Sequence, residues 1–215
     1  EAGIKGKIAP AAVREKLNSI TDNLEFVKKT MAGITKAEVE LPLTSSVTLD
    51  SLVNTESESD LLVDPMPNLY FTRDPFAVVG TGVNLNRMYS VTRNRETIYG
   101  EYIFTHHPLL KGTPEYYSRY NTFHIEGGDI LNINEHTIAV GISQRTQAAA
   151  IDVMAQNMFW NSDSKIDTIL AFDIPVSRAF MHLDTVFTQI DVDKFTIHPG
   201  IMGPLTVFEI TAEGD

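Results

Sequence analysis

Three aspartates, Asp74, Asp129 and Asp184, stand 55 residues apart, each in a short motif with further reactive groups. The first is Phe71-Thr72-Arg73-Asp74-Pro75. The second is Phe123-His124-Ile125-Glu126-Gly127-Gly128-Asp129, and the third Met181-His182-Leu183-Asp184-Thr185. Gly127 and Gly128 lack a Cβ, so a ligand or another segment can approach the main chain there. Alternation in the central motif, read as a strand, puts His124 and Glu126 on one face. Arg93 and Arg145 repeat in the same way, each just after the second strand of an expected hairpin. A fixed period makes equivalent positions converge, which would bring the three aspartates to the mouth of one pocket. Capping a turn is an ordinary role for any one of them; the shared period argues for a common task.

Carboxylates gathered from Asp74, Glu126 and Asp184 repel one another unless a cation enters or a proton is shared. A planar guanidinium, with five donors in a fixed fork, meets that need. Arg93 and Arg145 on the same rim suit an anionic group. Together these groups describe a site for free arginine, with His182 beside Glu126 as general acid and base near neutral pH. The competing chemistry is a metal-dependent hydrolase. His124-x-Glu126 and His182-x-Asp184 each present an imidazole and a carboxylate, and Asp74 and Asp129 could complete a shell. Oxygen-rich pairs without a His-x3-His spacing weigh against it. His106, His107, His136 and His198 fall at helix ends or turns and are expected at the surface, and His124 is expected on a strand face rather than as a ligand.

The elements that must carry these groups are readable in part. Val13, Leu17, Ile20, Leu24, Val27 and Met31 form a helical stripe over residues 10–32, with Pro10 in the first turn and Gly33 past the last. Core packing is the expected use of that stripe. Ser45-Ser46 and the acidic stretch Thr55 to Asp60 read as solvated loop, with a short helix near Leu49 to Val53. From Asp74 a unit of strand, strand, helix, strand repeats. Its first copy has strands Phe76 to Val79 and Val83 to Ser90, a helix from Arg95 to His106, and a closing strand from Thr122 to Ile125. The second has strands Ile130 to Ile133 and Thr137 to Ile142, a helix from Gln147 to Phe159, and a closing strand from Ile166 to Phe172. A third opens with Thr185 to Ile190 and Phe195 to His198. The expected fold is therefore α/β (α+β), an array of ββαβ modules in a ring or propeller.

Composition sets outer limits. A chain of 215 residues with 43% hydrophobic content can bury one substantial core. No apolar run approaches the roughly 18 residues of a membrane span, and no signal-peptide pattern opens the chain. The chain has no cysteine, which rules out disulfides within it, fits a cytoplasmic setting, and removes any Cys nucleophile or Cys-ligated metal from these residues. A net charge of −11 without a basic patch disfavours nucleic acid and suits a small cationic substrate. Glu1 stands where an initiator Met would be, so a processed product or a piece of a longer chain is expected.

Five stretches in order carry a resemblance. They are Pro67-Asn68-Leu69-Tyr70-Phe71-Thr72-Arg73-Asp74-Pro75, Arg93-Asn94-Arg95-Glu96-Thr97, Ile125-Glu126-Gly127-Gly128-Asp129, Val140-Gly141-Ile142-Ser143-Gln144-Arg145-Thr146 and Met181-His182-Leu183-Asp184-Thr185-Val186-Phe187. Together they resemble the arginine deiminases of the guanidino-group modifying α/β-propeller superfamily. The resemblance implies residues 1–61 as part of a helical insertion domain with its linker, and 62–215 as about three modules of a partial α/β propeller. It implies hydrolysis of L-arginine to L-citrulline and ammonia, without metal or organic cofactor. Asp74 and Asp184 would hold the guanidinium, and Glu126 would bond it and orient His182, the acid and base. Arg93 and Arg145 would grip the α-carboxylate, with Asn68 and Phe71 lining the pocket. That paired grip disfavours agmatine. The family's cysteine nucleophile, which forms a covalent amidino intermediate, lies beyond the part matched here. The chain alone is thus expected to be inactive, and to self-associate or be complemented by the missing modules. A non-catalytic arginine-binding module is the other reading.

Overall fold

A computed structural model describes residues 9–39 and 60–212. The loop and short helix expected between Ser45 and Asp60 lie outside them, apart from Asp60 itself. The chain divides into two units, residues 1–68 and 69–215.

In the first unit, two helices, α1 (Ala9–Asn18) and α2 (Asn23–Ala32), replace the single helix expected over 10–32. The break has a local cause. The Ser19 hydroxyl turns back to the Lys16 carbonyl at 2.7 Å. Asp22 is extended and accepts the Glu25 N–H at 2.9 Å, which starts a new helix rather than continuing the old one. The apolar stripe divides with it. Val13 is buried and Leu17 packs against its cluster, whereas Leu24, Val27 and Met31 remain exposed. β1 (Ile34–Thr35) pairs antiparallel with β2 (Leu61–Val63), and Ile34, Leu62 and Val63 complete the small core around Val13. Gly33 takes φ 85°, and a Cβ there would lie 2.4 Å from the Val63 carbonyl oxygen. Lys29 and the Thr35 N–H and hydroxyl all bond Glu38, holding its carboxyl down at about 2.

The second unit is built from the expected modules. In the first, β3 (Phe76–Val79) and β4 (Gly82–Leu85) form an antiparallel hairpin, α3 (Thr97–His106) crosses over, and β5 (Glu115–Tyr117) returns parallel to β4. In the second, β6 (Ile130–Asn132) and β7 (Thr137–Ile142) form the hairpin, α4 (Ala148–Trp160) crosses over, and β8 (Thr168–Asp173) lies parallel to β7. The helices supply the long connection that a parallel pair requires. β9 (Phe187–Asp191) and β10 (Lys194–Ile197) open a third module as an antiparallel hairpin. β11 (Thr206–Thr211), which the sequence pattern did not reveal, joins the outer edge of β8 antiparallel. The fold is thus a mixed helix-and-sheet array of ββαβ modules.

The main core lies under α4. Its Ala150, Ile151, Met154, Ala155 and Met158 are buried at helical spacing, against Ile138 and Val140 of β7 and Ile169 and Ala171 of β8. Val79, Tyr116, Tyr117 and Ile125 reach the same cluster from the first module. Among the described residues no helix is long and apolar enough to cross a membrane.

Two expected strands differ. The strand expected over Val83 to Ser90 ends at Leu85. Thr122 to Ile125 is not a strand, and β5 closes the first module instead. The backbone groups near Ile125 are bonded to loops rather than to a neighbouring ladder. The Ile125 N–H donates to the Arg87 carbonyl, His124 N–H to the Gln147 side chain at 2.9 Å, and Gln147 N–H to the His124 carbonyl. His124 and Glu126 therefore do not share a strand face.

Candidate active site

Glu126 ends the extended stretch and is fully buried. Its Oε2 accepts His182 Nε2 at 2.8 Å, and its Oε1 accepts the Tyr89 N–H at 3.0 Å. The glycines explain how the pair can form. A Cβ on Gly128 would lie 2.5 Å from His182 Nδ1, and one on Gly127 would lie 2.0 Å from the Arg73 carbonyl oxygen. Their absence lets the imidazole and the Arg73 backbone lie directly on this turn. Arg73 also clamps it, donating from Nε to the Gly127 carbonyl at 2.9 Å and from Nη2 to the Ile130 carbonyl at 2.5 Å. Burial works against a charged His182. The Glu126 hydrogen bond, with the charges of Asp129 and Asp74, outweighs it and holds the imidazole above its usual value.

Asp74 faces the same space. Asp74, Glu126 and His182 offer ligand atoms within 4.8 Å of one another. Arg93 Nη1 donates to Asp74 Oδ2 at 3.0 Å, and its Nε and Nη2 donate to Glu96 Oε2 at 3.0 and 2.9 Å. Glu96 is buried. Arg93 therefore stands against the carboxylate expected to hold the ligand's guanidinium. Asn86, itself buried, donates to the Asp74 carbonyl at 2.7 Å and fixes the backbone there. Asp184 is half-buried. Burial pushes its carboxyl up, His182 and Arg73 pull it down, and Asp74 pushes it up again.

Arg145 completes the cluster from the loop after β7. Its Nη1 lies 3.8 Å from Glu126 Oε1 and its guanidinium 5.1 Å from the Tyr89 ring centre. Its Nε is buried without a hydrogen-bond partner. Phe71 is exposed, packed edge-on to Tyr70. Asn68 is the last residue of the first unit and is half-buried.

Two residues weighed for the site stand apart. Asp129 does not reach a pocket mouth: it is fully buried, with both oxygens taken by Leu183, Ser143 and Thr146. His124 bonds the Arg145 carbonyl through Nδ1 at 2.8 Å. The metal shell drawn from His124, Asp129, Asp74, Glu126, His182 and Asp184 is therefore not assembled as a set. Of that set only Asp74, Glu126 and His182 lie close enough together to share one ion among the described residues, and Arg93 already supplies positive charge to Asp74. His106, His107, His136 and His198 are exposed, as expected.

Sequence reasoning missed Glu96, Tyr89 and Arg73. Glu96 had a local signal, three residues after Arg93 at helical pair spacing. Arg73 had only its place beside Asp74, and Tyr89 contributes a backbone N–H that any residue carries.

Comparison with known proteins gives the family. A model of the arginine deiminase family matches residues 2–215. Arginine deiminase of Treponema denticola is 56% identical over 215 residues, covering 98% of this chain and 51% of that protein. Arginine deiminase of Streptococcus equi subsp. zooepidemicus is 52% identical over 218 residues, covering 100% of this chain and 52% of that protein. The chain spans about half the length of these curated relatives. Among solved structures it is similar to a mutant of AgrE in binary complex with L-arginine, with TM-score 0.49 and 23% identity over 64% of this chain and 19% of that one. It is also similar to a mutant of DDAH from Pseudomonas aeruginosa complexed with citrulline, with TM-score 0.48 and 16% identity over 72% of this chain and 59% of that one. With the family model fitting nearly end to end and these relatives more than half identical in sequence, the chain belongs to the arginine deiminase family.

Proposed function

We propose that this chain is the binding and proton-transfer half of an arginine deiminase, which hydrolyses L-arginine to L-citrulline and ammonia. The observation that carries the reading is the buried Glu126–His182 pair at 2.8 Å, with Asp74 within ligand distance of both. Asp74 and Asp184 take the substrate guanidinium, and Glu126 bonds it and orients His182. A cysteine thiolate attacks the guanidinium carbon, and His182 protonates the departing ammonia as the C–N bond breaks. His182 then takes a proton from water, which attacks the amidino carbon and releases the thiolate. Arg145, with a buried Nε free to donate, grips the α-carboxylate. Arg93 shares that task and exchanges between Asp74 and the substrate. Phe71 covers the aliphatic stem.

The 215 residues contain no cysteine, so the thiolate is supplied from outside them. The chain alone is accordingly inactive. It self-associates, or it is completed by the modules that its relatives carry, in a cytoplasmic enzyme. Citrulline formation from L-arginine tests this. No turnover is expected from the 215 residues, and turnover from the protein at its relatives' full length. A full-length protein that binds arginine without forming citrulline would instead support a non-catalytic binding module.

A further inference from the structure

Asp129 is the buried carboxylate that this chemistry leaves without a task, and three segments of the site meet on it. Its Oδ1 accepts the Leu183 N–H at 2.8 Å, and its Oδ2 accepts the Ser143 hydroxyl at 2.7 Å and the Thr146 hydroxyl at 2.6 Å. Each donor is one step from a residue of the site. Leu183 follows His182 in the chain. Ser143 Oγ accepts the Arg145 N–H at 2.9 Å and the Thr146 N–H at 3.1 Å. Thr146 Oγ1 accepts the Glu126 N–H at 3.1 Å. The fit around the carboxylate is close, since a Cβ on Gly141 would lie 2.5 Å from Asp129 Oδ1.

We propose that Asp129 is a positioning residue that holds His182, Glu126 and Arg145 in one geometry by accepting hydrogen bonds from the three segments that carry them. The inference deepens the deiminase reading and rests on it. A carboxylate is required here, because donors arrive at both of its oxygens. An asparagine can accept on one oxygen only. Its Nδ2 would face the Ser143 hydroxyl, whose two lone pairs already accept backbone N–H groups, and the Thr146 hydroxyl, which already accepts from Glu126. Asp129 also acts on His182 through its charge. Glu126, Asp129 and Asp74 all favour the charged imidazole, and Asp184 lies within electrostatic reach of it.

The test uses Asp129→Asn and Ser143→Ala in the protein at its relatives' full length, with folding checked by circular dichroism. Asp129→Asn is expected to lower kcat by about 10²-fold, the scale of a displacement near 1 Å in a reacting group. It should also move the limb of the pH profile set by His182 to lower pH, because a negative charge has been removed. Ser143→Ala releases the Arg145 turn and leaves the Leu183 contact, so it should raise KM more than it lowers kcat. A carboxylate that served only to stabilise the fold would lower the melting temperature and the active fraction without moving either pH limb. A folded Asp129→Asn protein with wild-type kcat and an unmoved profile overturns the proposal. If the wild-type protein forms no citrulline, the deiminase reading fails, and an NMR titration of His182 in the same two proteins decides the positioning role. A lower His182 pKa with altered ring shifts in Asp129→Asn supports it, and an unchanged titration overturns it.

Discussion

At the scale of single residues, the site is governed by which charges face one another without water between them. His182 is held above its ordinary value of about 6.5 despite burial, because Glu126, Asp129 and Asp74 reward its charge. A raised histidine contributes stability that is fully present below pH 6.5 and is lost as pH rises through the folded value. Glu126→Gln removes the largest of the favourable causes. It should flatten that loss, seen as a smaller fall in urea midpoint between pH 6 and 9, and the His182 NMR titration should move down. Asp184 behaves in the opposite sense. Burial raises its carboxyl, so in the proposed role of holding a guanidinium it must first lose a proton at low pH. Arginine binding should therefore tighten as pH rises from about 4 toward neutrality, where the carboxyl ionises. Calorimetry across that range in buffers of different ionisation enthalpy should show proton release on binding. Binding that is independent of pH would remove Asp184 from the site.

At the scale of elements, turns rather than strands carry the chemistry, and that explains what could be read in advance. The α4 stripe was legible because it keeps one period over 13 residues, and β7 because it is an apolar run bounded by turn residues. β5 was not, being three residues just after Pro114 and held by a parallel partner 32 to 33 positions away. The Thr122–Ile125 segment misled because its residues alternate like a strand while its hydrogen bonds go to Arg87 and Gln147. The approach of Asp74 to Glu126 and His182 was foreshadowed by the motif period. The inward turn of Asp129 was not, since an aspartate at a turn reads the same whether it faces a ligand or a buried N–H. Two predictions belong here. In the protein at its relatives' full length, Gly128→Ala should leave a folded enzyme with kcat lowered by about 10²-fold, because the new methyl would lie 2.5 Å from His182 Nδ1 and displace the ring. Asp22→Ala removes the α2 cap and should cost the first unit about 1 kcal/mol, read as reduced helical signal on warming, with no effect on His182.

At the scale of the whole molecule, apolar side chains stand uncovered on the last strands described. The β9–β10 hairpin is largely exposed, with Ile190, Val192 and Ile197 on its surface, and β11 presents Val207 and Phe208. Such edges invite further strands or another copy of the chain. Sedimentation of the 215-residue chain at rising concentration should show association, and a monodisperse monomer at 100 µM (about the scale of weak self-association) would count against it.

The long-range bonds of the site also bear on how the chain acquires it. Arg73 reaches Gly127 and Ile130 across 54 and 57 positions, Asp129 reaches Leu183 across 54, and Glu126 reaches His182 across 56. All are close to one module in length, so successive modules are tied together, and Asp74 also stands within ligand distance of His182 two modules on. The His182 segment lies in the connection from β8 to β11, most of it half-buried or exposed and outside the core under α4. Its chemical environment should therefore disappear at lower denaturant than the α4 core, making the proposed acid–base residue an early reporter of unravelling.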